Sequence, residues 1–462
     1  MTEHGHMSER VARTLRGSFA GSVHVPGDEP FESERLAWMR AVESRPAVVA
    51  TASGAADVRA AVLTAREHGI PFAVQSTGHG AVRPADGALL LRTSALTEVT
   101  VDPERRTARF GPGATWADVI AAAAPHGLAP LSGTPTVGAT GFTLGGGIGW
   151  LSREYGYAAD SLVSAEVVSA AGRLHTASAE EHPDLYWALR GGSGNFGVAT
   201  SLEVRLYPVA TVYAGAVMFP VQRAGDLLAY YREWAPQQPD QMSTAVLLIR
   251  MPPGPPIPEP MRGKQFLALR VCFDGPAEEA ERLLKPLLDT GGQPVMNGLA
   301  VMPFAQSGAA ITGPPPPPMV AVQVIDLFRE LPEDAIDAMV DAAGADSPAP
   351  PMSTVEVRHW GGAMAEAGPD AGPAGHRDVP FSVITTAMIP APALDAPVRA
   401  WADALAARLR PYATGGTFLN FLTDPALTRT AFTEQNYARL VEAKRTWDPD
   451  NVFRLNHNIP PH

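Results

Sequence analysis

Residues 131–150 read LSGTPTVGATGFTLGGGIGW, a stretch made almost wholly of glycine, threonine and small apolar residues. Gly138, Gly141, Gly145, Gly146, Gly147 and Gly149 punctuate it. Glycine at this density predicts a loop over 131–149 that passes close to something, since a residue without Cβ lets backbone approach backbone or ligand. The segment Gly133–Thr134–Pro135–Thr136–Val137–Gly138 has the spacing of a phosphate-binding P-loop. Ala139 stands where the lysine belongs, with Thr140 behind it, so no ATPase follows. Two readings remain: a structural loop between two strands, or a row of N–H groups turned toward an anion such as a pyrophosphate.

Upstream of this block, PAVVAT predicts a strand, AADVRAAVLTAREHG an amphipathic helix closed by Gly69, and PFAVQS the next strand, a βαβ opening. GALLLRT, TEVTVD and RTARFGPG read as further strands and WADVIAAAAPHG as a helix. Downstream, Gly192–Ser193–Gly194–Asn195–Phe196–Gly197 matches GxGxxG, but helix-like DLYWALRGG precedes it and strand-like VATSLEVRL follows. A dinucleotide fingerprint needs the opposite order, strand then helix, so that phosphate meets a helix N-terminus. Past Pro208 the texture changes. Helices AGDLLAYYREWA and AEEAERLLKPLLD alternate with strands STAVLLIR and KQFLALRVCF, and two proline-rich breaks, PPGPPIPEP and GPPPPPM, predict surface loops.

The 462-residue chain has room for two substantial domains, or one split around an insertion. A net charge of -12 without a dense basic cluster argues against nucleic acid as a partner. The one cysteine, Cys272, excludes an internal disulfide and any multi-cysteine metal or iron–sulfur site, and its apolar surroundings predict a core thiol. The polar start MTEHGHMSER is unlike a signal peptide and no run reaches membrane-spanning length, so a cytoplasmic protein without membrane contact is expected.

Five ordered blocks carry a resemblance: RPAVVATASGAADV, QSTGHGAVRPADGALLLRTSAL, SGTPTVGATGFTLGGGIGWLSREYGYAADSL, HPDLYWALRGGSGNFGVATSLEVRLYPV and YARLVEAKRTWDPDNVFRLNHNIPP. Together they resemble the berberine-bridge-enzyme-like FAD-linked oxidases of the vanillyl-alcohol-oxidase superfamily, and most of all the bacterial branch that includes 6-hydroxynicotine oxidase and polyketide-tailoring oxidases. The resemblance implies an α+β fold. Its flavin domain, of the PCMH type with two α/β subdomains, would come from residues 1–208 and a returning C-terminal segment, 413–462. An inserted substrate domain, 209–412, would be an antiparallel sheet covered by helices.

The same resemblance implies FAD held covalently by the histidine of Gly78–His79–Gly80. Relatives with a second, cysteinyl link carry G-x-C-P-T-V-G; Thr134 stands at that cysteine's place, which leaves a single bond through His79. Gly138, Thr140, Gly141, Gly145, Gly146, Gly147, Gly149, Gly197, Val198, Asn456 and Asn458 are the further cofactor-binding expectations, while His457 stands where glutamine is common.

A flavin oxidase takes a hydride from carbon while a base removes a proton, and then returns the electrons to oxygen. Glu356, in the strand TVEVRH, is the expected base; alternation places Glu356 and Arg358 on one face, and His359 on the other. A surface Glu–Arg pair is the alternative. Resembled relatives carry a tyrosine-bearing strand of the form G-G-x-Y-x-N-Y; here that strand, Gly415–Phe421, reads GGTFLNF, which removes that phenolate and leaves Asn420, Tyr155 and Tyr157 as further candidates. Thr140 could stabilise an oxygen species. The expected partners are O2 and a small, aromatic, alkaloid or polyketide-like substrate, with the protein a monomer or homodimer. An oxygenase or dehydrogenase of the same fold, and a non-catalytic flavin-binding protein, are the other readings.

Overall fold

The computed structural model describes residues 3–255, 257–366, 368 and 371–462. Pro256, within the first proline-rich break, lies outside the described residues.

The βαβ opening forms as its apolar pattern dictates. Val48–Thr51, Leu89–Arg92 and Phe72–Gln75 lie parallel, and Ser22–His24 adds an antiparallel edge. Helix Ala55–Glu67 buries Val58, Ala61, Val62 and Ala65 against this sheet. At its end Gly69 adopts φ +63°, the left-handed geometry that closes a helix. A second, five-stranded antiparallel sheet joins Val99–Asp102, Thr107–Phe110, Val198–Arg205, Leu162–Val168 and Leu174–Ser178 in that spatial order. The Gly192–Gly197 string is a short turn between helix Pro183–Leu189 and strand Val198–Arg205, the order that rules out a dinucleotide fingerprint.

The third sheet is antiparallel and has eight strands. Its centre runs Thr211–Pro220, Gln265–Phe273, Met242–Arg250, Ser353–His359, Phe381–Ile389 and Val320–Phe328. Alternation divides each strand between two faces. Val217, Val246, Leu269, Val355, Val357 and Val383 pack under helices Ala224–Trp234, Ala277–Gly291, Glu333–Ala343 and Asp395–Leu409. The opposite face carries Met218, Ala245, Leu247 and Ala268 in one apolar group and Ile325, Leu327 and Ile384 in another. That second group is completed by Ile148 of the glycine block, by Tyr157 beyond it, and by Phe418. The uncovered face of the sheet is thus lined by the glycine block.

Two expectations fail locally. The block 131–149 is not all loop, because Ala139–Leu144 winds into a short helix. Phe142 there packs edge-on against Trp116 at 5.5 Å, and tertiary burial overrides the low helix propensity of glycine. The segment Gly415–Phe421 is not a strand: it ends in a 3₁₀ turn at Leu419–Phe421. Cys272 is a fully buried core thiol, as its neighbours in sequence predict. Among the described residues no helix is long and apolar enough to cross a membrane, and no cluster of three or more metal-ligating side chains occurs.

Candidate functional site

Four segments converge on one crevice. The Ser76–Gly80 loop lies against the glycine block: a Cβ on Gly138 would sit 3.2 Å from Thr77 Oγ1 and 3.5 Å from Ser76 Oγ. The C-terminal stretch threads across the Ser193–Asn195 turn, where Asn195 Nδ2 donates to the His457 carbonyl and Asn195 Oδ1 accepts from Ile459 N–H. Asn456 Nδ2 donates to the Gly194 carbonyl, and Arg83 Nε donates to the Asn456 carbonyl, which ties the tail to the loop that follows His79. A buried ion pair anchors this tail. Lys444 and Asp448 are fully buried, 2.6 Å apart; Lys444 Nζ also donates to the carbonyls of Asn195 and Phe453, and Asp448 accepts from the N–H groups of Val452 and Phe453.

Around this crevice Ser76 Oγ, Thr140 Oγ1, Asn456 Oδ1 and Asn458 Oδ1 are buried and take no hydrogen-bond partner among the described residues. A buried polar atom left unpaired costs about 1–3 kcal/mol, so these four oxygens are candidates to bond a polar ligand. Hydroxyl and amide groups of this kind fit an FAD, whose isoalloxazine edge and pyrophosphate offer donors and acceptors.

His79 stands at the mouth. Its ring stacks on Trp38 with centroids 4.3 Å apart, and Nδ1 lies 2.8 Å from the Thr77 hydroxyl. Burial pushes its pKa down to about 4, so the imidazole is neutral, the nucleophilic form, near pH 7. Gly78, at φ +78°, lets the chain turn tightly against Ala37 and Trp38, and Gly80 faces open space.

The glycines divide into two sets. Gly141, like Gly80, has open space where a Cβ would stand, so it can face a ligand. Gly145, Gly146, Gly147 and Gly149 are pressed against Asn420, Phe418, Phe142 and the Ser132 carbonyl, and serve close packing of the block. Gly197 is likewise pressed against Val167 and Val168, and Val198 lies in the core of the first sheet's unit.

The large sheet meets the end of the glycine block at Trp150. Glu356 is held by two arginines: Oε2 accepts from Arg270 Nη1 at 2.9 Å, and Oε1 accepts from Arg358 Nε at 2.9 Å, with Nη2 at 2.8 Å. Burial alone would raise the Glu356 pKa, but Arg358 and Arg270 hold it below the ordinary carboxylate range. Arg358 and Arg270 flank Ala245 in register, and this small residue leaves the room in which their guanidiniums meet one carboxylate. The Arg358 guanidinium also lies 4.7 Å from the centre of the Trp150 ring, which joins the clamp to the end of the glycine block. His359, on the other face, packs against Phe381 and donates its backbone N–H to Tyr231 Oη.

The remaining candidates lie elsewhere. Tyr155 donates to Asp274 at 3.3 Å and packs at a tilt against Tyr207, and burial together with Glu154 and Asp274 pushes its pKa up, so it keeps its proton and is a poor acceptor. Tyr157 is fully buried beneath the Arg377 guanidinium. Asn420 bonds the glycine block itself, and His457 is fixed between Thr428 and the Leu422 carbonyl. Sequence reading missed Arg270, Trp150 and Arg153. Arg270 lies 86 positions from Glu356, and only the register through Met242–Arg250 brings them together. Arg153 crosses to the large sheet, donating to the carbonyls of Met242, Gln238 and Trp360.

Comparison with known proteins agrees with this geometry. Residues 46–178 match the FAD binding domain family and residues 417–460 the berberine and berberine-like family. The chain is 29% identical to (R)-6-hydroxynicotine oxidase of Paenarthrobacter nicotinovorans, over 98% of this chain and 99% of that one. It is 27% identical to an FAD-linked oxidoreductase of Dictyostelium discoideum, over 96% of this chain and 95% of its relative. The crystal structure of 6-hydroxy-D-nicotine oxidase from Arthrobacter nicotinovorans superposes with a TM-score of 0.84 at 27% identity, covering 96% of this chain and 99% of that one. Berberine bridge enzyme from Eschscholzia californica shares the fold, with a TM-score of 0.83 at 21% identity over 98% of this chain and 99% of that one. The chain thus carries an FAD-binding segment and a berberine-like C-terminal segment, and FAD-linked oxidoreductases match it from end to end.

Proposed function

We propose that the protein is an oxidase: it removes a hydride from a small organic substrate and delivers both electrons to O2, with H2O2 as product. FAD, when bound, supplies the two-electron acceptor. Residues 1–208 and 413–462 form the flavin unit, and residues 209–412 supply the wall that holds substrate. The observations that support this reading are the unpartnered buried oxygens on Ser76, Thr140, Asn456 and Asn458 and the neutral His79.

In this reading His79 would hold the flavin by a bond from an imidazole nitrogen to the 8α carbon, where it replaces a hydrogen. Trp38 holds the ring in orientation, and the Thr77 hydroxyl fixes its tautomer. Ser76, Thr140, Gly141, Asn456 and Asn458 complete the cradle. Glu356 fixes the two guanidiniums of the substrate wall; its lowered proton affinity makes it a weak base. Acid precipitation followed by mass spectrometry of the His79 peptide tests the assignment. A yellow pellet and a peptide heavier by the mass of FAD less two hydrogens are expected, whereas unmodified His79 in a protein isolated yellow overturns the covalent link.

A further inference from the structure

The sheet face that meets Trp150 holds, around Glu356, more positive charge than that carboxylate cancels. Arg270 and Arg358 share Glu356, so the three side chains sum to one net positive charge. They are 17%, 14% and 10% exposed, enough to meet a ligand and too little for bulk water to screen the charge well. The bonds to Glu356 use Nη1 of Arg270 and Nε and Nη2 of Arg358. The other guanidinium N–H groups take no partner among the described residues. Along the strand, Thr354 lies on the same face two residues before Glu356, and Leu247 and Ile384 flank Glu356 on the neighbouring strands. The Trp150 ring covers Arg358 from the glycine block. This side of the sheet thus offers a desolvated cation, an aromatic face and aliphatic neighbours.

Resting on the oxidase reading above, we propose that the substrate is an organic anion, a carboxylate on an apolar or aromatic body, and that Arg270 and Arg358 are the residues that select it. A planar guanidinium with free N–H groups pairs with a carboxylate by charge-assisted hydrogen bonds. A protonated amine would meet like charge at the same place. Glu356 has two effects here: it spaces the guanidiniums, and it halves the charge they present.

Holoenzyme that retains its flavin is titrated with benzoate, its neutral isostere benzamide and the cation benzylamine, and binding is read by calorimetry and by the flavin difference spectrum. The expected order is benzoate, benzamide, benzylamine, with benzoate about tenfold tighter than benzamide and weakened by added salt. Arg358→Gln and Arg270→Gln each reduce that preference by about tenfold, and Glu356→Gln, which uncovers the second cation, strengthens benzoate binding. Equal affinity for benzoate and benzamide, tighter binding of benzylamine, or no benzoate-dependent change overturns the proposal. So does an Arg358→Gln enzyme with an altered flavin spectrum but an unchanged benzoate-to-benzamide ratio, which would assign the guanidiniums to the flavin. A protein that holds no flavin fails the oxidase reading instead, so the two failures are distinguishable.

Discussion

Asn420 grips Gly147 and, with the other end of its amide, the glycine block one turn earlier: Oδ1 accepts from Gly147 N–H at 2.9 Å while Nδ2 donates to the Phe142 carbonyl at 3.0 Å. Its place against Gly145 leaves no room for a larger residue there. Asn420→Ala removes both bonds and is expected to lower unfolding free energy by about 1–3 kcal/mol and to weaken flavin retention. Asn420→Asp keeps the Gly147 bond, loses the donor to Phe142, and falls between. Urea unfolding followed by the flavin content of refolded protein reads both.

His79→Ala removes the nitrogen that forms the covalent bond. The trichloroacetic-acid pellet of this variant is expected to be colourless and its supernatant yellow, with any flavin held by the cradle alone. A yellow pellet would refute the His79 assignment. Thr134 is exposed at the position of the second link in doubly tethered relatives, so none is expected in the wild type.

Acid sensitivity follows from buried neutral histidines. Burial first, partly offset by the Leu422 carbonyl, pushes His457 down to about 4, below its usual 6.5. A base with a depressed folded-state pKa binds more protons when unfolded, so its stabilising contribution is present above 6.5 and is lost as pH falls through about 4. His457→Gln is expected to flatten the slope of stability against pH in that window by up to about one proton. Denaturant midpoints measured from pH 7 to pH 4 on flavin-free protein, where His79 titrates unmodified in both variants, check it.

The Lys444–Asp448 pair is buried without exposure, so removing one partner leaves an uncompensated charge. Lys444→Met is expected to cost about 3–5 kcal/mol and to release the tail bearing Asn456 and Asn458, so that noncovalent FAD affinity falls with stability. Joint replacement of Lys444 and Asp448 by apolar residues is expected to recover part of the stability. It leaves the N–H groups of Val452 and Phe453 without their acceptor, and so affinity should recover less.

Glu356→Gln separates two chemical roles. As the anchor of two guanidiniums, it is expected to move KM more than the rate of flavin reduction, which changes by less than about tenfold. Loss of a general base would slow reduction by about 10²–10⁴. Stopped-flow measurement of reduction and reoxidation distinguishes them.

What the sequence made legible was local. Strands Val48–Thr51, Leu89–Arg92 and Gln265–Phe273 and helix Ala55–Glu67 announce themselves by apolar period and terminal glycine. The alternation of TVEVRH places Glu356 and Arg358 together correctly, because side-chain direction along a strand needs no tertiary information. The helix Ala139–Leu144 was not legible, since its cause is Phe142 packing on Trp116 from another element. Nor was the Arg270 contact, which depends on the register of three strands. The role of Asn420 escaped for the same reason: an amide in a resembled motif reads as chemistry, whereas its partners 273 and 278 residues away make it a clip.

The strand Ser353–His359 serves two masters by parity. Val355 and Val357 pack under the helices, while Glu356 and Arg358 pair with each other and with Arg270 on the other face. Mutations at alternate positions are therefore nearly independent in what they jeopardise. A lineage can exchange the charge on that face, and with it the molecules it admits, while the layer that keeps the protein folded goes untouched. Such a sheet is a surface on which new appetites can be tried at little risk to the architecture, and sister proteins of one fold would differ first at its even-numbered positions.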